Sequence, residues 1–295
     1  MRLTVLGCAG TFPGPDSPCS GYLVEHDGFR LVVDLGIGVL GYLQRHVGLL
    51  DVDAVYISHL HADHCLDLVA YSYARRYHPD GLPPVLPVYG PVGLGQRICD
   101  AFEAAPAGGL RDVFDFREVA TGSRRIGPFT VTTELMNHPV ECHGLRLEAG
   151  GRTLVYSGDT GRSEALVALA AEADLLLVEA SWTDAPGQPL DIHLSGREAG
   201  EHPQQPVGQV LEVVQPLLDI GIAGLGEAGA VLVADPVNCR LGGQAAPHRL
   251  LQRPVPAPVV GEHAVGFQHL ERLAGELALS AVEQGVDGGL EDREP

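Results

Sequence analysis

Six consecutive residues, His59-Leu60-His61-Ala62-Asp63-His64, put three imidazoles and a carboxylate between the strand-like run Val55-Tyr56-Ile57-Ser58 and the helical stretch Leu66 to Tyr77. A solvated histidine-rich turn is the bland alternative. Neutral imidazole and carboxylate are the usual nitrogen and oxygen ligands of zinc, and on a turn His59 and His61 can face one ion while Asp63 and His64 face a second. The run therefore predicts a strand, a metal-binding turn and a helix in immediate succession, and it calls for a fold that brings other strand ends close to that turn.

The chain around it supplies such ends. Candidate strands are Leu3 to Leu6, Arg30 to Asp34, Ala54 to Ser58, Val85 to Tyr89, Phe129 to Leu135, Gly144 to Glu148, Thr153 to Tyr156 and Leu175 to Val178. Candidate helices are Val39 to His46, Leu66 to Tyr77, Gly93 to Ala104 and Ser163 to Ala171. This alternation predicts a layered α/β fold. Polar residues stand just past apolar strands at Asp34, His59 and Asp159, and strand ends are where open α/β sheets build sites. Two further groups stand out downstream: His138, after the strand Phe129 to Leu135, and Asp159 in Ser157-Gly158-Asp159-Thr160-Gly161. Taken alone, each suits a loop or a turn as well as a ligand.

Composition bounds the partners. A chain of 295 residues that is 45% hydrophobic and 19% charged has material for a large core,. No window approaches the roughly 18 unbroken apolar residues of a membrane span. Met1 to Gly7 reads as a strand broken at glycine, not as a signal peptide, which predicts a cytoplasmic protein. The cysteines, Cys8, Cys19, Cys65, Cys99, Cys142 and Cys239, show no CxxC spacing, as expected of thiols in a reducing compartment,. A formal charge of −19 opposes approach to a polyanion and disfavours nucleic acid as a partner,. The basic residues are all arginine.

In this order, the HxHxDH run, His138, the Gly-Asp-Thr around Asp159 and the strand-end Asp34 resemble the metallo-β-lactamase fold of binuclear metallohydrolases. The resemblance covers about residues 1–200 and implies a four-layer αββα sandwich. It implies two divalent ions, zinc first, with manganese or iron suiting the same donors. By position, His59, His61 and His138 would hold the first ion, Asp63 and His64 the second, and Asp159 would bridge them. Asp34 would stand behind the histidine turn and orient it. A hydroxide between the two ions would then attack the substrate, with Asp63 among the residues that carry the reaction.

Glu179-Ala180-Ser181-Trp182 and His193-Leu194-Ser195-Gly196 resemble the phosphodiesterase branch of this fold, which includes the ribonuclease Z-like transfer-RNA 3′ nucleases. That likeness implies that His193 contacts the scissile phosphate and assists the leaving oxygen, with Glu179 supporting it; capping of a helix near Ser195 is the alternative for His193. The transfer-RNA nucleases commonly carry a long arm between the ligands matching His138 and Asp159. Here Asp159 follows His138 by only 21 residues. The segments Gly14 to Pro18, Ser20 to Leu23, Gly38 to Gly41, His59 to Leu68, Arg75 to Pro79 and Glu179 to Trp182 resemble the atypical class II cyclic-nucleotide phosphodiesterases. The implied substrate is a small phosphodiester, cyclic AMP. Arg75 and Arg76 are either phosphate contacts or solvated arginines, and Cys65 is expected to be a buried helix thiol. A homodimer is left open.

The family pattern includes one more histidine, at a strand end about two dozen residues past His193. None occurs between His202 and His248, and the corresponding run Val210 to Pro216 ends in Gln-Pro. From about residue 201 the chain is acidic and rich in proline and glycine, with Phe267 as its one aromatic residue. We therefore expect a hydrolase domain at 1–200 and an atypical extension at 201–295. The extension either reflects an altered reading frame or is a genuine tail in which His202, His248 or His263 substitutes. A degenerate metal-binding protein without activity is the accompanying alternative.

Overall fold

The computed structural model describes residues 1–101, 109–182, 187–189 and 191–201, together with the backbone of 210–214 and 238–240. His202, His248, His263 and most of the 201–295 extension lie outside the described residues.

The chain opens with three antiparallel strands, β1 (Arg2–Gly7), β2 (Gly21–His26) and β3 (Phe29–Leu35). The β2–β3 turn is Asp27-Gly28, both at positive φ, the pairing whose twist suits a two-residue hairpin,. After helix α1 (Val39–Leu43), strand β4 (Ala54–Tyr56) runs parallel to β3. The metal-type turn, helix α2 (Ala62–Cys65) and helix α3 (Asp67–Arg76) come next. Strand β5 (Leu86–Gly90), helix α4 (Leu94–Asp100) and strand β6 (Phe114–Glu118) extend the parallel part of this first sheet.

The second sheet repeats the plan. Strands β7 (Gly122–Ile126), β8 (Phe129–Leu135), β9 (His143–Ala149) and β10 (Arg152–Tyr156) are antiparallel. Helix α5 (Glu164–Ala170) crosses to the parallel strand β11 (Leu175–Ala180), and helix α6 (Gly196–Glu201) precedes β12 (Val210–Val214). A short strand, β13 (Asn238–Arg240), pairs with β1. The strand orders are β13-β1-β2-β3-β4-β5-β6 and β12-β11-β10-β9-β8-β7.

Period-two alternation sorts the side chains into layers. Leu31 and Val33 of β3 meet Phe129, Val131, Leu154 and Leu177 between the two sheets. Val32 and Leu35 instead face α1 and α3 through Val39, Leu43 and Leu68. On the far side, Leu176 and Val178 of β11 pack with Leu166 and Leu169 of α5. The result is helix, sheet, sheet, helix, the layered α/β sandwich expected. Strands covered on both faces read as unbroken apolar runs, which explains Leu175-Leu176-Leu177-Val178.

This packing positions the site. Strands β3, β4, β10 and β11 end near one edge of the sandwich, delivering Asp34, the His59 turn, Asp159 and Glu179. Beyond residue 201, Val210–Val214 continues the second sheet beside β11, in register from Leu176↔Val210 to Ala180↔Val214. Gln215 and Pro216, where the family pattern has its last histidine, lie outside the described residues.

Candidate metal centre

The turn after β4 carries His59 at its entry, His61 as the residue preceding α2, and Asp63 and His64 inside α2. His138 arrives from the loop after β8 and Asp159 from the loop after β10. One donor atom each from His59, His61, His138 and Asp159 falls within 4.8 Å of all the others. Nε2 of His59 is 3.0 Å from Nδ1 of His61, which is 3.3 Å from Nε2 of His138. Asp159 Oδ2 is 3.5 Å from His59 Nε2.

The far side of each ring fixes which nitrogen has a free lone pair. His138 Nδ1 lies 3.1 Å from the Ile192 carbonyl, which only accepts, so Nδ1 carries the proton and Nε2 faces the cluster bare,. The Ser58 hydroxyl donates to Asp34 Oδ2 at 2.8 Å, leaving its oxygen to accept from His59 Nδ1 at 3.0 Å. His59 Nε2 is therefore bare as well. One proton on His61 cannot serve both neighbours, and the Asp159 carboxylate adds negative charge. A divalent cation suits this donor set.

The second half of the cluster gives an independent sign. His64 Nδ1 donates to Asp34 Oδ2 at 2.7 Å. Its Nε2 is buried with no hydrogen-bond partner among the described residues, 3.3 Å from Asp159 Oδ1 and 3.8 Å from Asp63 Oδ2. A lone pair aimed at two carboxylates is repulsive unless a positive charge lies between them, either a proton or a metal ion. Asp159 thus presents one oxygen toward each histidine group. Asp63 is steadied from outside, its Oδ2 accepting the Thr11 amide at 2.7 Å.

Electrostatics follow this division. Burial, then the neighbouring His64 charge, holds the His59 imidazole well below its usual pKa, and burial lowers His138 too. For His64 burial opposes protonation, but Asp159 and Asp34 outweigh it and raise the pKa well above the usual value. Asp159, despite its burial, is held far below the carboxylate range by His64 and His59.

Glu179, at the end of β11, accepts from the Thr160 amide at 2.7 Å and from the Ser181 amide and hydroxyl at 3.0 and 2.5 Å. Its Oε1 is also 2.8 Å from Nδ1 of His193. The Trp182 ring meets His193 edge to face at 5.1 Å, and His193 stands 5.2 Å from the His138 ring. All nine residues singled out in the sequence thus gather at one edge: four in a tight group, Asp63 and His64 adjoining it, Asp34 behind His64, and His193 beside His138 with Glu179 behind it.

Sequence reasoning missed Ser58, Thr11 and Tyr156. Tyr156 donates to Asp34 Oδ2 at 2.7 Å. Its position three residues before Asp159 on an apolar strand gave no polar signal. The arginines after the turn lie elsewhere. Arg75 is buried, donating to the Pro84 carbonyl with its guanidinium 5.6 Å from the Tyr71 ring centre, so it is not the solvated arginine expected. Helix α3 turns that face inward, while Arg76 pairs with Asp112 at 2.7 Å. Cys65 is a buried thiol pushed up to about 12 by burial, donating to the His61 carbonyl at 3.2 Å.

Residues 29–215 match the model of the β-lactamase superfamily domain, and the chain belongs to that family. An uncharacterized protein of Mycobacterium leprae is 47% identical over 207 residues, 68% of this chain and 72% of that one. A probable metallo-hydrolase of Bacillus subtilis, YhfI, is 31% identical over 204 residues, covering 68% and 80% of the two chains. The crystal structure of YhfI, described as a metallo-β-lactamase fold protein, superposes with a TM-score of 0.64 at 28% identity over 75% of this chain and 87% of that one. A ribonuclease Z of Mycobacterium bovis is 29% identical over 242 residues, 68% of this chain and 80% of that protein. Among the described residues, no helix is long and apolar enough to cross a membrane.

Proposed function

We propose that this chain is a metallo-hydrolase that cleaves a small phosphodiester, cyclic AMP first, using two divalent ions. The observation that carries the reading is the division of Asp159, one oxygen toward His59 and the other toward the unpartnered Nε2 of His64. His59, His61 and His138 would hold the first ion, Asp63 and His64 the second, and Asp159 both. Bound there, zinc or a similar ion would lower the pKa of a water toward neutrality and stabilise charge on phosphate oxygens.

The chain's own groups do the rest. Burial would lower the His193 pKa, but the hydrogen bond and charge of Glu179 raise it, keeping the imidazole ready to deliver a proton. Glu179 holds Nδ1, so Nε2 is the atom available to the departing oxygen. Thr160 and Ser181 fix the carboxylate, and through it the ring.

A small diester is favoured over transfer RNA by the space between His138 and Asp159. That interval is filled by the hairpin β9–β10, closed by Gly150-Gly151, and holds no arm. The net charge of −19 argues the same way,. The ribonuclease Z relative keeps the 3′-processing reading as the alternative. The test is metal content per chain beside hydrolysis of cyclic AMP, a generic diester and a precursor transfer RNA. Cyclic AMP turnover supports the proposal, RNA cleavage alone supports the alternative, and metal without turnover marks an inactive descendant.

A further inference from the structure

The residues that face each other across the cluster come from different sheets. His64 and Asp63 follow β4 of the first sheet, and Asp159 follows β10 of the second. Two-metal chemistry on Asp159 and His64 needs these sheets registered to within a fraction of an ångström. Tyr156 lies on β10, three residues before Asp159, and its hydroxyl reaches across the sandwich to Asp34 at the end of β3.

We infer that Tyr156 is a positioning residue for the second metal, a strut that sets His64 against Asp159 by locking the Asp34 carboxylate. This rests on the reading of His64 as a metal ligand. Asp34 is fully buried, with a positive φ of 56°. Its Oδ1 accepts the Ser58 amide at 2.7 Å. Its Oδ2 is approached by three donors, Ser58 Oγ at 2.8 Å, His64 Nδ1 at 2.7 Å and Tyr156 Oη at 2.7 Å. Two of these donors belong to the first sheet's own turn. Among the described residues, Tyr156 alone brings a second-sheet constraint to this carboxylate.

The strut is itself held. Its ring packs against Tyr22 with centres 5.1 Å apart, inside the core between the sheets. Burial, with the Asp34 charge beside it, pushes the phenol pKa well above its usual value, so the hydroxyl stays a donor. Phenylalanine would keep the ring and its packing and remove only that donor. His59 depends on Asp34 less directly, through a Ser58 whose own amide is bonded to Oδ1. The effect of losing the strut should therefore fall on the His64 site.

The experiment is a zinc titration of metal-free full-length protein against a chromophoric chelator, for wild type, Tyr156→Phe and Tyr56→Phe, with melting curves of each metal-free protein. Tyr56 is the control: its hydroxyl is also buried but has no hydrogen-bond partner among the described residues. We expect Tyr156→Phe to weaken the second zinc about 10–100-fold, the range for groups behind metal ligands, and the first less than about threefold. Tyr56→Phe should leave both affinities as in wild type. Two zinc ions bound equally well by wild type and Tyr156→Phe would overturn the strut alone, as would parallel weakening of both sites with a lowered melting temperature. Fewer than two zinc ions in wild type would overturn the two-metal reading and the strut with it.

Discussion

Asp34 Oδ2 lies 2.7 Å from His64 Nδ1, and this one contact decides that Nε2 is the nitrogen facing Asp159. The same carboxylate takes the Ser58 hydroxyl, which in turn sets the tautomer of His59. A single buried aspartate thus orients a histidine in each half of the cluster. Replacing it by alanine would leave His64, Ser58 and Tyr156 without their acceptor. We expect Asp34→Ala to cost about 3–5 kcal/mol, the range for breaking a buried charged pair, measured by urea unfolding of the metal-free protein.

The Glu179–His193 pair predicts a pH effect with a definite sign. A carboxylate raises the pKa of its imidazole, so the acid form persists further up the pH scale, and turnover should fall as pH rises through that raised value,. Glu179→Gln should move this falling limb to lower pH. His193→Ala should lower kcat about 10²–10⁴-fold and abolish the limb, with metal content unchanged. The pH–rate profiles of the three proteins check all of this.

On the proposed ligand set, protons and metal compete for His64. Burial disfavours its imidazolium, but Asp159 and Asp34 raise its pKa well above the ordinary value in metal-free protein. Metal requires the neutral ring, so uptake should release protons, and affinity should weaken as pH falls through the raised pKa, by up to about tenfold per pH unit. Calorimetric titration in buffers of different ionisation enthalpy measures the protons released. A chelator should remove hydrolysis and lower the melting temperature, since an ion at 100 times its Kd contributes about 2.7 kcal/mol.

Gly36 touches the site from behind. A Cβ there would collide with the Asp63 carbonyl, which lies in helix α2 and cannot yield without moving Asp63 and His64. Gly36→Ala should cost about 1–3 kcal/mol, as overpacking does, and weaken the second metal more than the first. Chelator competition and thermal unfolding separate the two effects.

What was legible in the sequence had strong local chemistry. The HxHxDH run needs only a strand before it and a helix after it, and β4 and α2–α3 supply both. Strands such as β8 and β11 announced themselves by alternation or by an unbroken apolar run. Strand β7, Gly-Ser-Arg-Arg-Ile, did not, because as an edge strand it buries chiefly Ile126 and keeps polar residues toward solvent. Strand β2 was hidden likewise: Gly21-Tyr22-Leu23-Val24 is held by pairing with β1 and β3 rather than by its own pattern.

The site shows the same limit. Candidate ligands can be named from residue type, but the groups that aim them cannot. Ser58 and Tyr156 matter only because β3, β4 and β10 end side by side, a tertiary fact with no local signature. Arg75 fits neither alternative read from the sequence, a phosphate contact or a solvated arginine: the helix turns it into the core against Tyr71.

The most direct test of the central claim is metal content per chain on purified full-length protein, read beside cyclic AMP hydrolysis on the same sample. The account predicts close to two divalent ions per chain and turnover to AMP that a chelator removes and zinc or manganese restores. Metal-free protein that still hydrolyses cyclic AMP, or protein loaded with two ions that cleaves no phosphodiester, would contradict it.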